Sequence, residues 1–142
     1  MKPRILLVDD EEKFVEMLAQ RLEARGLEVG TAFSGDEALA RLKEKDFDVI
    51  ILDVLMPGKD GVDTLREIKQ LKPLTEVIML TGHATVETAI NGMKLGAHDF
   101  LMKPTETKDL VDKITNAYRR KAEQEERIRQ AEVDRIAKSR GW

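Results

Sequence analysis

The chain of 142 residues carries a formal net charge of −3 and is 42% hydrophobic, which suits one globular domain with a single core. It contains no cysteine, which excludes disulfides, thiolate metal sites and cysteine nucleophiles. No apolar run is long enough to cross a bilayer, and the start of the chain lacks the features of a signal peptide. We therefore expect a cytoplasmic protein without membrane contact, and the overall charge gives no reason to expect direct nucleic-acid binding.

The chain alternates short apolar strand patterns with helical patterns. The strand patterns cover residues 4–8, 28–32, 49–53, 76–81 and 99–102. Between them, apolar residues recur at helical spacing, with start or stop signals at Gly26, Ser34, Pro73 and Gly96. Strands separated by helices predict a doubly wound, five-stranded parallel α/β sheet with helices on both faces, in the flavodoxin-like strand order 2-1-3-4-5.

Acidic residues end two strands that this order places side by side. Asp9 and Asp10 follow the first strand, and Asp53 ends the third. Ligands of open α/β sheets bind where the carboxyl ends of such strands meet. Three carboxylates at one edge would raise one another's pKa values unless a cation neutralises them. A small all-oxygen ligand set that leaves room for several waters favours Mg²⁺ over Ca²⁺.

Two further polar side chains end the fourth and fifth strands. Thr81 contributes a hydroxyl and Lys103 an ammonium group. A carboxylate nucleophile, a divalent metal, a fixed cation and a hydroxyl are the groups that phosphoryl transfer onto an aspartate requires. Taken singly, the threonine suits a strand, the lysine suits solvent, and the acids suit a helix start or a turn. Their convergence at one edge favours the functional interpretation.

In order and spacing, these residues resemble the receiver domain of bacterial two-component response regulators. The similarity extends from residue 4 to about residue 120. It rests on Asp9-Asp10, on Asp53 followed by Met56-Pro57 and Gly61, on Thr81-Gly82, and on Lys103-Pro104. The stretch 81–104 further resembles receivers of the nitrogen-regulation class, which usually precede an ATPase domain and a DNA-binding domain; we expect neither in the rest of this sequence.

The resemblance implies a Mg²⁺ site and a phosphoacceptor. Asp53 would accept the phosphoryl group and would also bind the metal directly. Asp10 would be a second direct ligand, and Asp9 would act through a water molecule. Leu55 would contribute its backbone carbonyl oxygen.

The resemblance also implies how the phosphoryl group is held and sensed. Lys103 would pair with it, and the peptide bond to Pro104 is expected to be cis, as in the family. Gly82 would leave room for the phosphoryl oxygens. Thr81 and Phe100 would change the face formed by the fourth helix, the fifth strand and the fifth helix. For Phe100, plain core packing is an equally good interpretation.

The last helical pattern continues without a breaker to Gly141, well past the domain. We therefore divide the chain into a receiver domain, 1–120, and a charged helical C-terminal extension, 121–142. Residues 119–142 contain eight basic and five acidic residues, so a mildly basic tail follows an acidic body. Its apolar stripe is thin and forms no regular heptad. A solvated helix and a helix used for dimerisation or partner docking are both open interpretations.

The predicted function is a Mg²⁺-dependent phosphoacceptor switch that takes its phosphoryl group from a histidine kinase or a histidine phosphotransfer protein. Its own phosphorylation and dephosphorylation would be its only chemistry. The output would be contact with a downstream protein, or homodimerisation through the face described above or through the C-terminal helix.

Three alternatives accompany this prediction. A phosphohydrolase of the haloacid dehalogenase type uses the same groups, but it places its nucleophile in an Asp-x-Asp pattern at the first strand, whereas this strand ends in Asp-Asp-Glu-Glu. A receiver fold kept only for binding is disfavoured because no site residue is missing. The chain could also be the N-terminal part of a larger transcription regulator.

Overall fold

The structure, a computed structural model, describes residues 2–54, 61–82 and 86–141. The prediction made for Leu55 therefore lies outside the described residues. The elements are β1 Arg4–Val8, α1 Glu12–Glu23, β2 Glu28–Ala32, α2 Gly35–Glu44, β3 Val49–Leu52, α3 Gly61–Leu71, β4 Glu76–Thr81, α4 Val86–Lys94, β5 Asp99–Met102 and α5 Thr107–Ser139. All five predicted strands are confirmed. Strand β3 ends one residue earlier than predicted, so Asp53 follows the strand.

The strands form one parallel sheet in the order β2-β1-β3-β4-β5, which confirms the predicted doubly wound fold. Val8 at the end of β1 pairs with Ala32 of β2 and with Leu52 of β3. Strands β1 and β3 therefore end at the same level, at the point where the strand order reverses. This register places Asp9 and Asp53 side by side at the carboxyl edge of the sheet.

An apolar layer packs on each face of the sheet, and successive strand residues alternate between the two layers. One layer joins α2 and α3 to the sheet and includes Leu6, Leu42, Ile50, Leu65, Ile68 and Met79. The other joins α1 and α5 and includes Ile5, Val15, Leu22, Ile51, Ile78 and Ile114. Because both faces are covered, β3 and β4 are buried along their whole length, which explains their continuous apolar runs.

Local signals in the sequence correspond to observed helix ends. The Ser34 hydroxyl accepts the N–H of Glu37 at 3.1 Å, as in a capping box. The Glu37 carboxylate accepts the N–H of Phe33 at 3.1 Å, one residue before the usual partner. Gly26 follows α1 with φ of 88°, a left-handed conformation that favours glycine. The peptide bond between Lys103 and Pro104 is cis, as expected.

Helix α5 runs unbroken for 33 residues and has two parts. Its first turns bury Leu110, Ile114 and Ala117 against the sheet. Its last turns expose the apolar residues Ile128, Val133 and Ile136. No helix in the described part of the chain is both long enough and apolar enough to span a membrane.

Candidate functional site

Three carboxylates meet at the carboxyl edge of β1 and β3. Asp9, Asp10 and Asp53 each offer an oxygen atom, and these atoms lie within 4.8 Å of one another. Asp9 and Asp53 are each only 4% exposed, whereas Asp10 is open to solvent. The N–H of Asp53 donates to the carbonyl of Val8 at 2.9 Å, so β3 is tied to β1 at this point. The structure thus brings together the acids that the strand order predicted.

Lys103 reaches this cluster from the end of β5. Its Nζ atom lies 2.6 Å from Asp9 Oδ2, 3.5 Å from Glu11 Oε1 and 3.7 Å from Asp53 Oδ2. The backbone N–H of Lys103 donates to the carbonyl of Thr81 at 3.0 Å, which fixes the lysine at the same edge. One ammonium group therefore faces several carboxylates.

Burial and the ionic contacts change the pKa values of Asp9 and Lys103. Burial raises the pKa of Asp9, and the charge of Asp53 adds to the rise; the hydrogen bonds from Lys103 and from the N–H of Glu11 oppose it without cancelling it. Burial lowers the pKa of Lys103, but the hydrogen bond to Asp9 and the charges of the nearby acids raise it by more, so the pKa lies above its usual value. From the sequence we expected repulsion between the carboxylates to raise their pKa values, whereas burial is the larger cause of the raised pKa of Asp9. A second cation would relieve the remaining negative charge.

The ends of β4 and α3 complete the described part of the site. Thr81 is fully buried at the end of β4. A Cβ atom on Gly82 would lie 3.8 Å from the Cβ of Lys103, so this glycine borders the lysine. At Gly61, a Cβ atom would lie 2.3 Å from the Cα of Val54 and 2.6 Å from the carbonyl oxygen of Asp53. Only glycine lets α3 begin this close to the phosphoacceptor candidate.

Phe100 lies on β5, away from the acids. It is half-buried and packs against the layer that joins α2 and α3 to the sheet. Its backbone is in register with Met79 of β4. The core-packing interpretation is therefore observed, and the switching role of Phe100 stays a prediction.

Two contacts of Lys103 were not predicted from the sequence. Glu11 approaches Lys103, and the Phe14 ring lies under the lysine with its centroid 4.2 Å from Nζ. The helical spacing of the apolar residues after the first strand predicts that Phe14 faces the core, and it does pack on the layer that joins α1 and α5 to the sheet. Its position in the first turn of the helix that follows these acids was the available signal.

Comparisons with known proteins agree with this geometry. The family described as response regulator receiver domain matches residues 5–115. The transcriptional regulatory protein ZraR of Salmonella typhimurium is 40% identical over 113 residues, which are 80% of this chain and 26% of ZraR. This chain spans between about a quarter and just over half of the length of the curated relatives it matches.

Solved structures show the same similarity. The receiver domain of NtrX from Brucella abortus is 36% identical, with a TM-score of 0.77 over 81% of this chain and 98% of that chain. A CheY-like response regulator receiver domain protein from Methanospirillum hungatei is 31% identical, with a TM-score of 0.84 over 87% of this chain and 99% of that chain.

Proposed function

Because this chain belongs to the response regulator receiver domain family, we propose that Asp53 accepts a phosphoryl group and that this modification is the signal the domain transmits. One observation carries the assignment. The Asp53 carboxylate is buried, shares a cluster with Asp9 and Asp10, and lies 3.7 Å from the Lys103 ammonium. A nucleophile is thus held beside groups that can bind a metal and a cation that can bind a phosphate.

In the proposed reaction an oxygen of Asp53 forms a bond to phosphorus. The bond from phosphorus to the donor breaks, and the leaving group keeps the electron pair. The donor we propose is a histidine kinase or a histidine phosphotransfer protein, in which the leaving atom is an imidazole nitrogen. Hydrolysis of the acyl phosphate on Asp53 would end the signal.

We assign Asp9, Asp10 and Asp53 as the side chains that hold Mg²⁺, with Asp10 and Asp53 as direct ligands and Asp9 acting through water. The donor set fits, because it is all oxygen, carries more negative charge than Lys103 balances, and includes one acid open to solvent. The bound ion supplies positive charge that offsets the charge of the phosphoryl oxygens. The fourth proposed ligand, the carbonyl oxygen of Leu55, lies outside the described residues.

Lys103, Thr81 and Gly82 are proposed to receive the phosphoryl oxygens. Lys103 Nζ is 1.1 Å closer to Asp9 than to Asp53, the difference between 2.6 and 3.7 Å. A small shift toward Asp53 would therefore let it pair with a phosphoryl group. Thr81 would donate its hydroxyl, and Gly82 would leave space. The movement of Thr81 would then be followed by Phe100.

We infer that the output face is formed by α4, β5 and α5. Ile90 and Met93 of α4 and Met102 of β5 are 48%, 46% and 45% exposed, which makes this face apolar. It would bind a downstream protein or a second copy of the chain. We propose no chemistry on other substrates.

We keep the division into a receiver domain, 1–120, and an extension, 121–142, as part of the proposal, together with a cytoplasmic location. A second candidate is that the receiver controls a longer transcription regulator. The printed name of ZraR and the 26% of its length that this chain covers favour that candidate. In either case we expect the receiver itself not to bind nucleic acid.

The test is intact-mass spectrometry after incubation with acetyl phosphate, with and without Mg²⁺. Wild type should gain one phosphoryl group only with Mg²⁺, and Asp53→Asn should gain none. Asp48→Asn is the matched control, because Asp48 is also a buried acid and lies at the other end of β3; it should be modified like wild type. No adduct on wild type, or an adduct on Asp53→Asn, would contradict the assignment.

A further inference from the structure

The Lys103 ammonium has two kinds of neighbour. Asp9 and Asp53 approach it with carboxylate oxygens at 2.6 and 3.7 Å, and the ammonium lies over the Phe14 ring, 4.2 Å from its centroid. A cation within about 6 Å of an aromatic ring face is attracted by the electrons of that face. The Lys103 side chain is only 16% exposed, so little water weakens this attraction. The ring is fixed by its packing on the layer that joins α1 and α5 to the sheet.

The acids and the ring hold the lysine in different ways. The contact with Asp9, at 2.6 Å, is a directional hydrogen bond between opposite charges. The Phe14 ring carries no net charge and attracts the ammonium over its whole face. It therefore does not bind Lys103 to one acid, and it does not repel an incoming phosphoryl group.

We propose that Phe14 is a positioning residue for Lys103, and that its ring keeps the ammonium in the site while the ammonium passes from Asp9 to a phosphoryl group on Asp53. This inference rests on the proposed function. Phe14 contributes no bond to the reacting atoms and acts only through Lys103. A purely structural role, as one more apolar residue of α1, predicts different results for the variants below.

The first experiment compares rates of phosphorylation by acetyl phosphate at saturating Mg²⁺. Phe14→Leu keeps an apolar side chain but removes the ring, and it should be about threefold to tenfold slower than wild type. Phe14→Tyr keeps the ring and should stay within about twofold. Phe33→Leu is the matched control, since Phe33 is a partly buried aromatic packed against the same layer; it should react at the wild-type rate.

The second experiment observes the lysine directly by NMR. A ring face shifts the signals of the Lys103 ε-methylene group upfield, and this shift should be present in wild type and Phe14→Tyr but absent in Phe14→Leu. It should persist when Mg²⁺ and beryllofluoride, a phosphoryl mimic, are added. The Kd for Mg²⁺ measured by calorimetry should be the same in all three proteins, because the ring is assigned no role at the acids.

The outcomes separate this inference from the proposed function. Phe14→Tyr as slow as Phe14→Leu, Phe33→Leu as slow as Phe14→Leu, or a ring shift lost on adding beryllofluoride would each overturn the positioning role. Any of these can occur while wild type is still phosphorylated normally. Failure of wild type to be phosphorylated at all would instead overturn the proposed function.

Discussion

The two edges of the sheet differ in how their buried acids are paired with basic side chains. At the carboxyl edge, the ammonium of Lys103 contacts Asp9, Glu11 and Asp53. At the amino edge, Asp48 has two basic partners of its own. It accepts a hydrogen bond from the Lys121 ammonium at 3.1 Å and lies 4.0 Å from Arg4 Nε, and it also accepts the backbone N–H of Arg4 at 2.8 Å.

Glu76, at the start of β4, repeats the arrangement of the amino edge. It is 6% exposed, and its carboxylate lies 3.7 Å from Arg120 Nε and 3.5 Å from His98 Nδ1. Arg120 and Lys121 are neighbours on α5, so this helix brings a base to each of two buried acids. The charges of the amino edge are balanced by residues of the chain itself.

The difference shows which feature marks a functional site. Both edges contain buried acids, so burial alone does not distinguish them. At the amino edge each acid is paired, which is what a stable fold requires. Among the described residues of the carboxyl edge the acids outnumber the cation, and the pKa of Asp9 is raised by its burial and by the charge of Asp53. Acids that cluster in this way at a strand end are typical of a functional site.

The largest expected effect comes from adding Mg²⁺, which tests whether the acids of the carboxyl edge bind an ion. A ligand that binds only the folded state stabilises it by mass action, by about 2.7 kcal/mol when its concentration is a hundred times its Kd. The free energy of unfolding of wild type, measured in urea, should therefore rise by this amount. The rise should be much smaller in Asp53→Asn at the same Mg²⁺ concentration, and a rise of equal size there would place the ion elsewhere.

A smaller effect on the free energy of unfolding should come from removing a positive charge at the amino edge. Lys121→Met keeps the apolar stem but removes the ammonium that contacts Asp48 and Glu125, at 3.1 and 3.2 Å. Because the hydrogen bond between Lys121 and Asp48, two charged groups of low exposure, is lost, the free energy of unfolding should fall by about 2 kcal/mol. Urea unfolding measures the change.

Lys45→Met is the control for the amino edge. Lys45 also contacts one acid, Glu28, at 3.2 Å, but both side chains are about half exposed. Its loss should cost about 0.5 kcal/mol or less. Equal losses in the two variants would show that the Lys121 contact is no more than a surface ion pair. The Mg²⁺-dependent rise should be unchanged in Lys121→Met, since the two edges are separate.

The sequence was sufficient to predict which acids meet at the carboxyl edge, but not which ion pairs form at the amino edge. Runs such as Val49 to Leu52 identify buried strands, and the rule that parallel strands end at one edge then brings Asp9 and Asp53 together. No comparable rule joins Asp48 to Lys121, which lies 73 residues later. An acid before a strand is ordinary, and partners so far apart in sequence are set by how α5 packs.

Lys121 illustrates the limit most clearly. In the sequence it interrupts any heptad pattern and stands at the start of the charged extension, with no sign of a partner in the sheet. In the structure its side chain is 13% exposed and turns toward Asp48, so contact with the sheet continues into the first residue of the extension. Phe14 shows the same limit, because spacing correctly places its side chain against the core but does not show that its ring also meets Lys103.

The smallest expected effect concerns Asp9 without divalent metal. Burial raises its pKa in the folded state, so its contribution to stability is complete below the unfolded pKa, about 3.9, and is lost as the pH rises through the folded pKa. Asp9→Asn stays neutral and avoids that loss. At pH 7.5 the variant should be more stable than wild type by about 1 kcal/mol, the usual size of a single-substitution effect, and the difference should shrink as the pH falls toward 4.5.

Mg²⁺ should reverse the sign of this last difference. When the ion is present, wild type gains stability from the complete acidic cluster, and Asp9→Asn lacks one carboxylate. Urea unfolding of both proteins at pH 7.5, with chelator and then with Mg²⁺, tests this directly. A variant less stable than wild type under both conditions would mean that Asp9 serves the fold mainly as the partner of Lys103. The carboxyl edge would then resemble the balanced amino edge, and the contrast between them would be lost.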